Sequence, residues 1–133
     1  MTLKRLALLQ WVGLLAGAST WTLAHVTGIG GTFAQCNAAG SRWNISNPWF
    51  QGTLMGVAAT LVVVAEACAV VAFTRTRGKD FGDGPPDPEE KNDVKPGRIH
   101  FFSAAAMITN AIVLMIILLD GAANLADIAC RQS

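Results

Sequence analysis

Charged residues are scarce in this sequence. They make up 14% of the 133 residues, while hydrophobic residues make up 52%. Soluble domains carry about 25% charged residues, so too few polar side chains remain here to cover a water-facing globule. A basic excess is also lacking, because 10 Lys+Arg stand against 9 Asp+Glu. The composition therefore predicts a membrane protein and excludes a nucleic-acid partner, since binding to nucleic-acid phosphates depends on a basic excess.

Catalytic motifs are missing as well. The sequence has no Gly-rich phosphate loop, no H-E-x-x-H and no G-x-S-x-G. Gly28, Gly30 and Gly31 form the nearest glycine cluster, but they follow an apolar run and not a strand. We interpret them as residues that break the first helix. We expect no enzymatic activity from this chain, although we expect it to be a component of an enzyme complex.

Three apolar runs are long enough to cross a membrane, because a helix needs about 20 residues to span the hydrocarbon core. We place the spans at 6–25, 49–73 and 99–120 within a single domain, 1–133. Loops cover 26–48 and 74–98, and a tail covers 121–133. Barrel strands would be shorter and would alternate in polarity. The fold class is thus an all-α membrane protein with three transmembrane helices, and we expect the first segment to be retained although Lys4 and Arg5 also suit a signal peptide.

Basic residues predict the orientation of the spans. Eight of the ten lie on the side shared by the N-terminus and the second loop: Lys4, Arg5, Arg75, Arg77, Lys79, Lys91, Lys95 and Arg98. Only Arg42 and Arg131 lie on the other side. We therefore expect a cytoplasmic N-terminus and a periplasmic C-terminus in a bacterial inner membrane.

This topology predicts which cysteines face the outer side of the membrane and which one is embedded in it. Cys36 and Cys130 both fall on the outer side, whereas Cys68 lies within the second span. An oxidising periplasm would join the outer two, so we predict a Cys36–Cys130 disulfide that tethers the tail to the outer loop. The alternative is a zinc or copper site formed by these cysteines and His25, which we consider weaker because no paired cysteine motif is present.

Three polar side chains interrupt the spans. Gln10, Glu66 and Asn110 lie at similar depths when about 1.5 Å is counted per residue, and we predict that they form an intramembrane polar cluster. A carboxyl group at this depth is costly unless it is paired or protonated. The structural hypothesis is therefore that a protonated Glu66 hydrogen-bonds Gln10 or Asn110. The alternative is that Glu66 faces a partner subunit and serves a proton path or quinone pocket.

Small residues suggest which helix faces pack together. Glu66 would share a small-residue face of the second span with Gly52 and Gly56. The first span offers Gly13 and Gly17. We predict both glycine pairs as helix-packing sites, and one of them could serve packing within the chain.

The two histidines bear on haem binding. His25 ends the first span and His100 begins the third, about 25 to 30 Å apart in depth. They cannot hold one iron together, so each is interpreted as an interfacial anchor. We predict no catalytic, metal or cofactor-binding residues in this chain, and expect any haem or quinone in partner subunits.

One resemblance involves the last third of the chain. Ile99-His100-Phe101 opens the third span, Asn110 lies within it, and the tail ends in Cys130-Arg131-Gln132-Ser133. This pattern resembles small membrane proteins found with bacterial haem–copper respiratory oxidases. The resemblance implies a non-catalytic accessory subunit that stabilises or helps assemble a larger respiratory complex. The alternative from the residues alone is a small proton-conducting, ion-conducting or transporter-like protein built around Glu66. We expect the partners of the chain to be a larger membrane protein complex and lipid.

Overall fold

The computed structural model describes residues 2–36, 47–78 and 95–126, with side chains at 2–34, 49–78 and 95–123. This part of the chain forms three helices, α1 (Leu3–Cys36), α2 (Asn47–Thr76) and α3 (Pro96–Ala126), and contains no strand. Each helix is long and apolar enough to cross a membrane. The prediction of an all-α protein with three membrane-spanning helices is confirmed.

The helices are longer than the predicted spans, most of all α1. It continues as one helix past Gly28, Gly30 and Gly31 to Cys36, so the prediction that these glycines break it is wrong. The reason is tertiary packing, because a Cβ at Gly28 would meet the Gln51 side chain and a Cβ at Gly31 would meet the Phe50 ring. Glycine here makes room for side chains of α2, and that packing offsets its low helix propensity.

The ends of the other two helices follow local rules. Arg77 donates its backbone N–H to the Phe73 carbonyl oxygen at 3.1 Å, and Gly78 then adopts a φ of 77°. A left-handed residue of this kind commonly ends a helix, and glycine adopts it without a steric penalty. Helix α3 begins at Pro96, where the absent N–H of proline costs nothing. The predicted 74–98 loop is therefore shorter in the structure at both ends.

The three helices pack around one another, and each contacts the other two. Buried residues recur at alternating steps of three and four along α2 and α3. On α2 they are Gln51, Met55, Ala58, Val62, Ala65, Ala69, Ala72 and Thr76, and on α3 they are Ile99, Ser103, Ala106, Asn110, Val113 and Ile117. A repeat of this period is typical of left-handed bundles with knobs-into-holes packing.

The core has two apolar clusters separated by a polar layer. One cluster contains Ala24, Met55, Ala58, Val62, Val113 and Ile117, and the other contains Leu6, Ala72 and Ile99. We call the end of the bundle nearer the first cluster the His25 end and the opposite end the His100 end. Between the clusters lie the buried side chains of Gln10, Ser103 and Asn110. The polar groups are thus placed where the helices screen them from lipid.

Candidate functional site

The polar layer is organised around the backbone of Gly13. The Asn110 side chain donates a hydrogen bond from Nδ2 to the Gly13 carbonyl oxygen at 2.9 Å. A Cβ on Gly13 would lie 3.1 Å from the Ala65 carbonyl oxygen and 3.0 Å from the Ala69 Cβ, so α1 and α2 nearly touch at this level. Gly17 faces the Asn110 side chain. Both glycines of the α1 pair are therefore contact points inside the chain.

Glu66 lies beside this layer but is not bonded to it as predicted. It follows Ala65 on α2 and is partly buried, and its Oε2 atom is inaccessible and has no hydrogen-bond partner among the described residues. The hydrogen bond that Asn110 does make goes from its amide nitrogen to the Gly13 carbonyl oxygen. The predicted hydrogen bond from Glu66 to Gln10 or Asn110 is absent, because Glu66 lies on the border of the buried face of α2 and not at its centre.

Other polar atoms in the layer lack hydrogen bonds too. Gln10 Nε2, Ser103 Oγ and Asn110 Oδ1 are inaccessible and have no partner among the described residues. A buried polar atom without a partner costs about 1 to 3 kcal/mol. The polar layer therefore contains side chains whose hydrogen bonds are not all made within the described part of the chain.

The second glycine pair faces outward. Gly52 and Gly56 are exposed, and no atom of the described residues lies within 4 Å of a Cβ built on either. They do not contact another helix of this chain, so of the two predicted glycine pairs it is Gly13 and Gly17 that serve packing within the chain. The buried face of α2 is displaced by one residue from the outward pair, because the alanines at 58, 65, 69 and 72 let α1 and α3 approach more closely.

The His100 end carries aromatic and basic side chains. The His100 ring stacks on Phe73 with 4.2 Å between centroids, and its Nδ1 lies 3.2 Å from Thr76 Oγ1. Arg98 lies over the Phe102 ring at 5.7 Å. All the lysines and arginines among the described residues lie at this end: Lys4, Arg5, Arg75, Arg77, Lys95 and Arg98.

The His25 end contains a cavity of about 540 Å³ that the sequence did not indicate. Its polar lining consists of His25, Thr32, Gln51 and Asp120, from all three helices. His25 Nδ1 lies 3.4 Å from Asp120 Oδ2, and the His25 ring stacks on Trp21 with 5.4 Å between centroids. The two histidines thus lie at opposite ends of the bundle.

Gln51 is the residue of this cavity that sequence reasoning missed. It is only 2% exposed, and its Nε2 donates to the Gly28 carbonyl oxygen at 2.8 Å and to Thr32 Oγ1 at 3.0 Å. Its Oε1 is buried without a partner among the described residues. A signal was present, because a glutamine at the start of an apolar run near a glycine cluster indicates a side chain that must find its partners on another helix.

The cysteine prediction falls largely outside the described side chains. Those of Cys36 and Cys130 are not described, so their disulfide and the alternative metal site with His25 stay predictions. Cys68 is free and partly buried in α2. Within the described ranges, no three His, Cys, Asp or Glu side chains are grouped so that they could hold a metal ion.

Comparison with known proteins adds no family assignment. No protein-family model, no curated protein and no solved structure matches the chain.

Proposed function

We propose that this chain is a non-catalytic accessory subunit that stabilises or helps assemble a larger respiratory electron-transfer complex in a bacterial inner membrane. The observation that carries the proposal is an outward stripe of small residues along α2. Its members are all exposed and none is larger than valine: Gly52, Gly56, Thr60, Val63, Ala67, Val70 and Thr74. We call this surface the α2 outer stripe.

A second protein helix would pack more closely against the α2 outer stripe than lipid chains would. In a bilayer, helices associate through close backbone approach and not through burial of apolar surface from water. Each glycine lowers helix stability by up to about 1 kcal/mol relative to alanine. At Gly52 and Gly56 no contact with the part of the chain that the structure describes compensates for this cost. A partner helix lying against the stripe would supply the missing contacts.

Glu66 adds a polar attachment point at the edge of the same surface. It lies between the buried face of α2 and the outer stripe, with Oε2 unpaired among the described residues. A protonated carboxyl group can both donate and accept, so a polar group of the partner could satisfy it. Small residues and one unsatisfied carboxyl group together favour a protein neighbour over a purely lipid one.

The topology of the chain and the identity of the complex are inferred from the sequence. The basic residues at the His100 end favour a cytoplasmic location for that end and for the N-terminus. The His25 end and the C-terminus would then be periplasmic, where Cys36 and Cys130 would form the tether. The respiratory assignment is supported by the resemblance of residues 99–133 to proteins found with haem–copper oxidases.

Co-purification after mild detergent extraction tests the proposal. We expect haem-containing subunits to accompany the chain. Gly56→Leu should reduce their recovery at least about tenfold, because a loss of about 1.4 kcal/mol in binding is enough for this. Val57→Leu is the matched control, since Val57 is 55% exposed but lies outside the stripe. A homogeneous homo-oligomer without haem proteins, or equal recovery with both variants, would contradict the proposal.

The unsatisfied interior polar atoms favour proton conduction as a second candidate function. Gln10, Ser103 and Asn110 each carry one such atom in the polar layer, and Glu66 carries one beside it. Purified chain in liposomes with an internal pH dye distinguishes the candidates. Proton flux that disappears in Glu66→Gln supports conduction, whereas no flux above that of empty liposomes rejects it.

A further inference from the structure

An aromatic pair joins α1 and α3 near the His100 end of the bundle. Trp11 of α1 stacks on Phe102 of α3 with 6.2 Å between ring centroids and 24° between ring planes. Trp11 is 42% exposed, so the pair lies on the outside of the bundle and not in its core. We call the outer surface that these two helices share around the pair the α1–α3 surface.

Three basic side chains lie beside this pair, at the end of the α1–α3 surface. The Arg98 guanidinium lies 5.7 Å from the centroid of the Phe102 ring. Lys4 precedes Trp11 by seven residues, which is two helical turns, and therefore shares its side of α1. Lys95 comes directly before α3, where its carbonyl oxygen accepts the Arg98 N–H at 3.1 Å. All three side chains are exposed, so a ligand can reach their charged groups.

The backbone adds positive charge at the same place. Both α1 and α3 begin at this end, and neither has an acidic residue in its first turn. The N-terminus of a helix carries a partial positive charge that an acidic side chain usually complements. Here the first turns carry Lys4, Arg5 and Arg98 instead. An anion lying between the two helix starts would stabilise the backbone and the basic side chains together.

Acidic residues on the same side of the membrane are too few to cancel this charge. Residues 1–5 and 74–98 contain eight lysines and arginines but six aspartates and glutamates, all of them between 80 and 93. Complete pairing of the six would still leave two basic residues. Basic clusters of this kind next to membrane-spanning helices attract anionic lipids.

The depth of Arg98 places the basic cluster among lipid head groups. On α3 no charged residue occurs between Arg98 and Asp120, a rise of about 33 Å that matches the hydrocarbon thickness of about 30 Å. Leu8 and Leu15, which are 64% and 56% exposed, lie three and four residues from Trp11 on the same side of α1. The α1–α3 surface thus offers positive charge at head-group level and apolar side chains at acyl-chain level.

We propose that the α1–α3 surface binds an anionic phospholipid of the phosphatidylglycerol class at the His100 end. Arg98 and Lys4 donate hydrogen bonds to the phosphate oxygens, and the acyl chains run along Leu8 and Leu15. Phosphatidylcholine has the same phosphate and chains, but its own ammonium opposes the basic residues and weakens its binding. The site belongs to the isolated chain and does not depend on the respiratory complex.

Lipid selection by the full-length chain tests this site. The chain is reconstituted in vesicles with equal amounts of dioleoyl phosphatidylglycerol and dioleoyl phosphatidylcholine, extracted mildly, and analysed by native mass spectrometry. We expect the bound lipid to be enriched in phosphatidylglycerol about tenfold. The double variant Lys4→Gln, Arg98→Gln should lose most of this enrichment. The matched control Arg75→Gln, Arg77→Gln removes two exposed charges at the same end but around the end of α2, and should keep it.

The outcomes separate a defined site from its alternatives. Equal binding of the two lipids would overturn the proposal, as would an equal loss in the two double variants, which indicates diffuse surface charge. Enrichment that occurs only after Asp87→Asn, Glu89→Gln and Glu90→Gln are combined would make the acidic linker the occupant and overturn the lipid assignment. Displacement of the bound lipid by inorganic phosphate would do the same in favour of a soluble anion.

Discussion

Alanine substitution should destabilise the bundle at Gly13 but not at Gly56. At Gly13 a new Cβ would lie 3.0 Å from the Ala69 Cβ, 3.1 Å from the Ala69 nitrogen and 3.1 Å from the Ala65 carbonyl oxygen. Two of these neighbours are backbone atoms of α2, which cannot rotate away. The helices must separate by several tenths of an ångström, and the hydrogen bond from Asn110 to the Gly13 carbonyl must stretch from its 2.9 Å.

The expected magnitudes follow from overpacking and helix propensity. Overpacking a close contact costs about 1 to 3 kcal/mol, and replacing glycine by alanine in a helix returns at most about 1 kcal/mol. Gly13→Ala should therefore destabilise the bundle by about 1 to 2 kcal/mol. Gly56→Ala meets nothing within 4 Å, so it should be neutral or stabilising by up to about 1 kcal/mol.

Reversible unfolding of the purified chain in mixed micelles measures both effects. Increasing the SDS fraction separates the helices. Tryptophan fluorescence reports it, because Trp11 stacks on Phe102 of α3 and Trp21 packs against the apolar cluster that α2 and α3 share. The isolated chain is needed, since a partner on the α2 outer stripe would add its own penalty to Gly56→Ala. If the two variants unfold at the same SDS fraction, the close approach of α1 and α2 at Gly13 is refuted.

Two further predictions concern single contacts. Asn110→Leu removes the hydrogen bond to Gly13 and should destabilise the bundle by about 1 kcal/mol in the same titration, as expected for interhelical hydrogen bonds in membranes; an unchanged midpoint would show that the bond contributes nothing. The Cys36–Cys130 disulfide should block maleimide labelling of both cysteines in unreduced membranes and allow it after reduction. Labelling of both cysteines without a reductant would eliminate the disulfide, and labelling from opposite sides of the membrane would contradict the topology.

The number and type of elements followed from the sequence because a bilayer permits few structures. Backbone groups inside hydrocarbon must be paired within a segment, so a long apolar run becomes a helix whatever its side chains. Polar residues then marked the inner faces of α1 and α3. Gln10, Ser103 and Asn110 must avoid lipid, and all three are buried.

The inner face of α2 could not be read in the same way. Its one acidic residue, Glu66, suggested a small-residue face that lies one residue away from the face that is buried. Both candidate faces of α2 are rich in small residues, so composition alone does not distinguish them. The choice depends on the backbone of Gly13, which approaches α2 at Ala65 and Ala69.

The sequence alone determined that three helices cross the membrane, because the backbone hydrogen bonds of a helix in lipid form between residues close together in the chain. Tertiary structure alone decided that α1 continues through its glycines, where Gln51 and Phe50 fill the space. It also decided that Gln51 and Asp120 line one cavity, although they are far apart in the chain. Such juxtapositions depend on helix register and rotation, which close packing sets and a single sequence does not encode locally.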